Sequence, residues 1–219
     1  MGNSDSGYAP GQNRSDTVLI ACGALAREIT ALIRVNNWQH MKVQCLPAKL
    51  HNTPNEIAPA VQSKITELRD AGYNNLYVAY ADCGTGGELD RVLEKENVER
   101  IGGPHCYSFF AGAEVFDALH ESEFGTFYLT DFLVRHFDRL ILRDMGIEKH
   151  PELLPMYFGN YKKLVYLAQT EIPELVEQAR AAADKLGLEF EHHITGYGEL
   201  EVSLEQVAQH TEVPVKWHV

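Results

Sequence analysis

Two kinds of hydrophobic pattern alternate along this chain. Short apolar runs rich in β-branched and aromatic residues predict buried strands, and apolar positions that repeat every three or four residues predict amphipathic helices. Strands are predicted at residues 17–23, 41–46, 76–81, 125–130, 163–168 and 188–193. Helices are predicted at residues 24–35, 57–71, 107–120, 132–143 and 173–186, with a short polar helix after Glu88. Strands and helices therefore follow one another along most of the chain.

This alternation is typical of an α/β fold, in which helices cross over between parallel strands. We predict a doubly wound, mainly parallel sheet that is flanked by helices, Rossmann-like in architecture and built from two similar halves. Nothing in the composition marks an interdomain linker, so we predict a single α/β domain over residues 16–205. Residues 1–15 are polar and contain glycine and proline, which predicts a disordered tail, and residues 206–219 are predicted to form a C-terminal tail.

The charge of the chain restricts the partners that we expect. Its 219 residues carry a formal net charge of −12 at pH 7, whereas nucleic-acid backbones and anionic membranes attract positive surfaces. No apolar run is long enough to cross a membrane, and no signal peptide is recognisable. We therefore expect a cytoplasmic protein with a small-molecule substrate and with neither nucleic acid nor membrane as a partner. Small cytoplasmic α/β proteins often form homo-oligomers, but the sequence identifies no interface.

Two cysteines follow predicted strands in the same local context. Cys22 ends the first strand in an Ala-Cys-Gly sequence, and Cys83 follows the third strand in an Asp-Cys-Gly sequence. The carboxyl ends of parallel strands lie at one edge of a sheet, where ligands collect. The repeated order of strand, Cys-Gly turn and helix therefore predicts both thiols at the same edge. Four cysteines in a chain of this length do not suggest a secreted disulfide scaffold, so we expect reduced thiols.

A third thiol, Cys106, lies at the entry to a predicted aromatic helix. Helix N-termini stabilise thiolates, which favours metal binding or nucleophilic attack. We predict that Cys22, Cys83 and Cys106 face one pocket. Three thiolates with one open position fit tetrahedral zinc, and they also fit an iron–sulfur cluster with one iron free of protein thiolate. The alternative is that these thiols are buried and structural, which is the interpretation that we prefer for Cys45.

Two polar residues beside these thiols are candidate catalytic groups. Asp82 is predicted to orient a ligand or to accept a proton, but a turn residue that accepts N–H bonds would explain it equally well. His105 is a fourth-ligand candidate, yet adjacent residues seldom both reach one ion. A role in supporting a metal ligand or in proton transfer therefore suits His105 at least as well.

The glycine-rich segment after Cys83 is a candidate cofactor-binding loop. The backbone amides of Gly84, Gly86 and Gly87 could hold an anion, although their spacing matches neither the dinucleotide nor the phosphate-loop fingerprint. Tyr107 could form one wall of a small-molecule pocket, together with Tyr128 and Tyr161. The competing interpretation is that aromatic residues in such runs belong to the hydrophobic core.

Several of these segments together resemble DUF1638, a bacterial and archaeal protein family of unknown function. The resemblance rests on Ala21–Leu25 with Glu28, Asp82–Gly84, Gly103–Tyr107, Tyr128–Phe132 and Lys163–Leu167, and it extends from roughly Thr17 to Glu201. Members of that family are often encoded beside corrinoid-dependent methyltransferases and their corrinoid proteins. The resemblance therefore implies one-carbon metabolism, such as methylamine or betaine demethylation. It also implies contact with a corrinoid and a corrinoid protein or a methyltransferase as a partner.

Three functional hypotheses follow. The first is a metalloenzyme or cluster protein of corrinoid-linked methyl transfer, in which a thiolate-bound metal activates a methyl group or a cluster passes electrons. The second is a non-catalytic accessory protein that binds a metal, a cofactor or a corrinoid in the same cleft. The third is a metal-free cysteine enzyme with Cys83 as the nucleophile and His105 as the base.

Overall fold

The structure is a computed structural model that describes residues 16–212, with side chains described for residues 16–209. It confirms an α/β fold of the Rossmann-like kind, with parallel sheets flanked by helices. The strands form two parallel sheets, one of four strands and one of three. The chain divides into two compact units. The first contains the described residues up to Gly102 and those from Ser203 onward, and the second contains Gly103–Val202.

Two of the segments predicted from the sequence lie at the ends of the chain. The tail predicted at residues 1–15 lies outside the described residues. At the other end, a helix runs through Glu212, inside the segment predicted to be a C-terminal tail, where we had assigned no helix. The single domain predicted over residues 16–205 stays a prediction, because two compact units can unfold either together or separately.

The first unit contains a four-stranded sheet in the order β2-β1-β3-β4. Its strands are β1 (Thr17–Cys22), β2 (Met41–Leu46), β3 (Leu76–Ala79) and β4 (Glu99–Arg100). Its helices include α1 (Ala26–Val35), α2 (Ile57–Asp70) and α3 (Glu88–Glu96). Each strand is followed by a helix before the next parallel strand, so the carboxyl ends of all four strands lie at the same edge of this sheet.

One apolar cluster covers a face of this first sheet. The strands contribute Val18 and Ile20 of β1, Val78 of β3 and the following Tyr80. Helices α2 and α3 contribute the apolar positions that recur with helical spacing: Ile57, Ala58, Val61, Ile65, Leu68, Leu89 and Leu93. Because this cluster extends to the carboxyl ends of the strands, it fixes the side chains that emerge there.

The second unit contains a three-stranded sheet in the order β5-β6-β7. Its strands are β5 (Thr126–Thr130), β6 (Lys163–Ala168) and β7 (Glu189–Ile194). Its helices are α4 (Cys106–Ala111), α5 (Ala113–Ser122), α6 (Asp131–Arg135), α7 (Leu154–Phe158) and α8 (Pro173–Leu186). Helix α9 (Gly198–Glu212) begins in this unit, and its residues from Ser203 onward belong to the first. The apolar residues of α6 and α8 pack with Leu129, Leu164 and Tyr166 of the strands. A smaller cluster contains Phe116 of α5 with Tyr128, Val165 and Leu167.

Two helices of the second unit are shorter than predicted. The helix predicted over residues 107–120 is broken at Gly112, whose φ of 81° is left-handed and separates α4 from α5. The helix predicted over residues 132–143 ends at Arg135, and a π-helical turn follows over Asp138–Arg143. The N-cap of α6 is Thr130, whose hydroxyl accepts a hydrogen bond from the Leu133 amide at 3.4 Å.

Within the described part of the chain, every helix is too short or too polar to cross a membrane.

Candidate functional site at the carboxyl edge of the first sheet

The carboxyl ends of β1 and β3 lie side by side in the first unit. Ala21 pairs with Ala79 in the parallel register, so Cys22 and Tyr80 occupy the next positions on the two strands. Cys22 and Cys83 both pack against the apolar cluster that includes Tyr80. The structure therefore brings two of the three predicted thiols to one edge of one sheet, as the repeated Cys-Gly pattern had suggested.

Tyr80 is a buried phenol beside these thiols, and no sequence pattern indicated it as a site residue. Its side chain is only 2% exposed, and its hydroxyl interacts with the Cys22 side chain. Burial raises the pKa of Tyr80, and the neighbouring Cys22, Cys83 and Cys45 raise it further. Burial also raises the pKa of the Cys22 thiol, although the Ala24 amide and the Tyr80 hydroxyl act in the opposite direction. At neutral pH, Cys22 without a bound cation is therefore a protonated thiol.

Asp82 shapes the loop between β3 and α3. Its carboxylate accepts hydrogen bonds from the Thr85 hydroxyl at 2.6 Å, the Gly87 amide at 2.9 Å and the Gly86 amide at 3.2 Å. Burial raises the pKa of Asp82, but these hydrogen bonds and one from the Gly84 amide together lower it below the ordinary value. Amides that we had proposed to hold an external anion are thus bonded to a carboxylate of the same loop.

Cys83 has an unusual backbone conformation in this loop. Among the described residues, Asn37, Cys83 and Asn97 are the non-glycine residues with positive φ. Asparagine enters this left-handed region readily, whereas for a cysteine the φ of 50° costs on the order of 1–2 kcal/mol. Strain of this kind is found preferentially at functional sites. The Cys83 side chain is half-buried.

Arg100, at the end of β4, supplies a positive charge near this loop. Its guanidinium forms a two-point ion pair with Asp90, with Nε–Oδ1 at 2.6 Å and Nη2–Oδ2 at 2.9 Å. It also interacts electrostatically with Asp82 and Cys83. Arg100 could not be identified from the sequence, because β4 has only two residues and leaves no hydrophobic pattern. The one feature that could have indicated Arg100 as a site residue is its position at a strand end in the same sheet.

The remaining candidate residues lie in the second unit. His105 immediately precedes α4, and its carbonyl accepts hydrogen bonds from the Ser108 amide at 3.1 Å and the Ser108 hydroxyl at 2.7 Å. The His105 side chain is exposed, and Cys106, the first residue of α4, is half-buried. The Tyr107 ring lies 5.5 Å from the Tyr128 ring, centroid to centroid, and packs against the smaller apolar cluster. For Tyr107, core packing is therefore the observed environment.

Asp131 is a buried carboxylate in the second unit that no sequence pattern indicated as a site residue. Asp131 is 3% exposed and accepts hydrogen bonds from the Tyr166 hydroxyl at 2.7 Å, the Gln169 amide at 2.9 Å and the Thr170 hydroxyl. Its own amide donates to the Gln169 side-chain oxygen at 2.8 Å. Every one of these contacts joins the end of β5 to the end of β6, so the network holds two strands together.

The donor set for a metal is incomplete among the described residues. No group of three or more His, Cys, Asp and Glu side chains is placed there so that it could hold a metal ion. Cys22 and Cys83 supply two soft donors of the kind that zinc and iron–sulfur clusters take. The prediction that Cys45 is a buried structural thiol is wrong, because Cys45 is exposed on β2.

One protein-family profile, described as "Protein of unknown function (DUF1638)", matches residues 45–204. The matched range includes Cys83, His105 and Cys106, whereas Cys22 precedes it. Neither curated proteins nor solved structures gave a match to this chain. Because the profile covers well over half of the chain, the protein belongs to the family of proteins of unknown function DUF1638.

Proposed function

We propose that this protein binds a thiophilic metal, either zinc or an iron–sulfur cluster, through Cys22 and Cys83. The observation that carries the proposal is the placement of both thiols at the carboxyl edge of two neighbouring parallel strands, against one apolar cluster. Ligands of open α/β sheets collect at this edge. The cytoplasm that we expect for the protein keeps such thiols reduced.

A cation bound at this edge would have to replace the proton of Cys22. Cys22 is held as a neutral thiol by its surroundings, and a metal ion would exchange with its proton, which leaves to solvent. Bound zinc would supply Lewis-acid activation of a methyl donor or acceptor, and a bound cluster would supply electron transfer. Asp82 holds the loop that carries Cys83, and its lowered pKa keeps it ionised at neutral pH, so it can accept a proton but has none to give.

The test is metal analysis of protein purified without oxygen. We expect about one zinc ion or one cluster per chain, and a brown colour in the case of a cluster. Cys22→Ser and Cys83→Ser should each lose the metal. Cys45→Ser is the matched control, since it removes an exposed thiol from the adjacent strand β2 and should retain it. The same assay on Cys106→Ser tests the sequence-based prediction of a third ligand. Metal-free native protein, or full retention in the double variant of Cys22 and Cys83, would refute the proposal.

We further propose that the metal site acts in corrinoid-linked one-carbon metabolism, as the family resemblance implies. Metal-loaded protein would be mixed with methylcobalamin and a thiol acceptor, and demethylation followed by absorbance. Turnover that is lost in Cys83→Ser would support an enzyme. Saturable binding of the corrinoid without turnover would support the accessory-protein alternative. If neither turnover nor binding is observed, that result would contradict the methyl-transfer context.

A second candidate function follows from the backbone of Cys83. A positive φ at a sharp strand-to-helix turn is a conformation that presents nucleophilic side chains in some hydrolytic enzymes. In this alternative, Cys83 is a nucleophile in a metal-free enzyme. Iodoacetamide should then label Cys83 in metal-free protein much faster than the exposed Cys45. Equal or slower labelling of Cys83 would remove this alternative.

A further inference from the structure

A basic groove lies on the second unit, along α6, the π-helical turn that follows it and α8. Its volume is about 480 Å³, and its lining includes the buried apolar side chains of Val134, Phe137 and Ala182. Four of the chain's 19 Lys and Arg residues also line it: Arg135, Arg139, Arg143 and Lys185. Since the chain contains 31 Asp and Glu residues, this groove reverses the sign of the charge locally.

Two of the four basic side chains have an acidic partner. The Lys185 ammonium lies 2.7 Å from an Asp138 carboxylate oxygen and 6.0 Å from the centre of the Phe137 ring. The Arg143 Nε atom lies 3.1 Å from a Glu148 carboxylate oxygen. Both ion pairs are exposed to solvent, and exposed pairs contribute little to stability. A ligand anion can therefore take the place of either carboxylate.

The other two basic side chains, Arg135 and Arg139, form no salt bridge with any residue from 16 to 209. Arg135 is half-buried and Arg139 is exposed. They lie one helical turn apart, with Arg143 one turn further, and like charges at this spacing destabilise a helix. Arg139 and Arg143 also belong to the π-helical turn, a rare conformation that is frequent at functional sites. An anion bound between the arginines would relieve their repulsion.

We propose that this groove binds a small organic phosphate. The planar guanidinium groups of Arg135 and Arg139 match the oxygen atoms of a phosphate group and can each donate two hydrogen bonds to it. The organic part of the ligand packs against the apolar lining at Phe137. A volume of about 480 Å³ is typical of small-molecule sites. A long polyanion fits poorly, because the net charge of −12 repels whatever extends beyond the groove.

The experiment measures the binding of three probes to the full chain by isothermal titration calorimetry at low ionic strength. Phenyl phosphate carries a ring and a phosphate group, inorganic phosphate lacks the ring, and phthalate carries a ring and two carboxylates without phosphorus. The variants are Arg135→Gln, Arg139→Gln and the double substitution. Arg34→Gln is the matched control, because Arg34 is exposed on α1 of the first unit and its variant changes the net charge equally.

Phenyl phosphate should bind most tightly of the three probes. Each single substitution in the groove should lower its affinity about 10-fold, since a hydrogen bond to a charged group is lost. The double substitution should abolish detectable binding, whereas Arg34→Gln should bind as the unsubstituted protein does. Saturating phenyl phosphate should also raise the melting temperature of the unsubstituted protein but not that of the double variant. Without ligand, Arg139→Gln should be at least as stable as the unsubstituted protein, because a like-charge repulsion is removed.

Several results would overturn the proposal. Binding of none of the probes at low ionic strength would refute it, and so would binding that survives the double substitution. An equal loss of affinity in Arg34→Gln would show that only the net charge matters. Phthalate that binds as tightly as phenyl phosphate would exclude recognition of phosphate. A ligand-free Arg139→Gln that is clearly less stable would assign this arginine a structural role instead. Each outcome leaves the metal proposal unaffected, because its thiols lie in the first unit.

Discussion

Backbone strain at Cys83 is a property of one residue that can be measured without knowing the ligand. Its φ of 50° favours glycine over any residue with a Cβ atom. We expect Cys83→Gly to be more stable than Cys83→Ala by about 1 kcal/mol, because both lack the thiol but only glycine relieves the strain. Urea denaturation of the two variants makes the comparison. A Cys83→Gly variant that is less stable than Cys83→Ala would show that the loop is not strained at this position.

Asp82 gives the stability of the protein a defined dependence on pH. Its pKa in the folded protein lies below the ordinary value of about 3.9. The carboxylate therefore contributes stability that is fully present above that value and is lost as the pH falls through the folded pKa. We expect Asp82→Asn to be less stable than the unsubstituted protein at pH 7, and the difference to shrink near pH 3 (about one unit below that value).

The free energy of unfolding at the two pH values tests this expectation. Asp117→Asn is a suitable control, because Asp117 is exposed on α5 and should show little effect at either pH. A difference between Asp82→Asn and the unsubstituted protein that is the same at both pH values would mean that ionisation of Asp82 does not stabilise the loop.

Two elements of the second sheet are held together by Asp131. Replacing it by alanine leaves the Tyr166 hydroxyl, the Gln169 amide and the Thr170 hydroxyl without their acceptor at the ends of β5 and β6. Each unsatisfied buried group costs roughly 1–3 kcal/mol, so we expect a loss of about 3 kcal/mol after partial rearrangement. Chemical denaturation should show this loss, and a loss below about 1 kcal/mol would mean that water replaces the carboxylate.

The ends of β1 and β2 approach each other too closely for a side chain at Gly23. A Cβ atom there would lie 2.9 Å from the Leu46 carbonyl oxygen and 3.2 Å from the Ala48 nitrogen. We expect Gly23→Ala to be destabilised by about 1–3 kcal/mol, since backbone must move to admit the methyl group. Gly102→Ala is the control, because a Cβ there meets nothing within 4 Å. Equal thermal stability of the two variants would contradict this expectation.

The charge of the whole molecule decides which polymers it can bind. With a net charge of −12, the protein should repel a nucleic-acid backbone at physiological ionic strength. We expect no retardation of duplex DNA or of RNA in an electrophoretic assay at micromolar protein. Binding that weakens as salt is added would contradict this expectation, because it would reveal a basic surface that the sequence does not suggest.

The sequence by itself determined the class of the fold and the edge of the sheet at which Cys22 and Cys83 lie. Apolar runs such as Thr17–Cys22 and Lys163–Ala168 form strands because their side chains must be buried on a sheet. Once strands alternate with helices, parallel pairing follows, and parallel pairing gathers the strand ends. The Cys-Gly pattern could therefore be located in space from local information, although its chemistry could not.

Tertiary structure decided the rest, because the remaining features depend on residues that are distant along the chain. The hydrogen-bond partners of Asp131 lie more than thirty positions away along the chain, and no local sequence pattern predicts that contact. The division into two sheets and the exposure of Cys45 depend on which strands pair and which faces are covered. The position of Tyr80 beside Cys22 is of the same kind, since only the pairing of β1 with β3 brings these two side chains together.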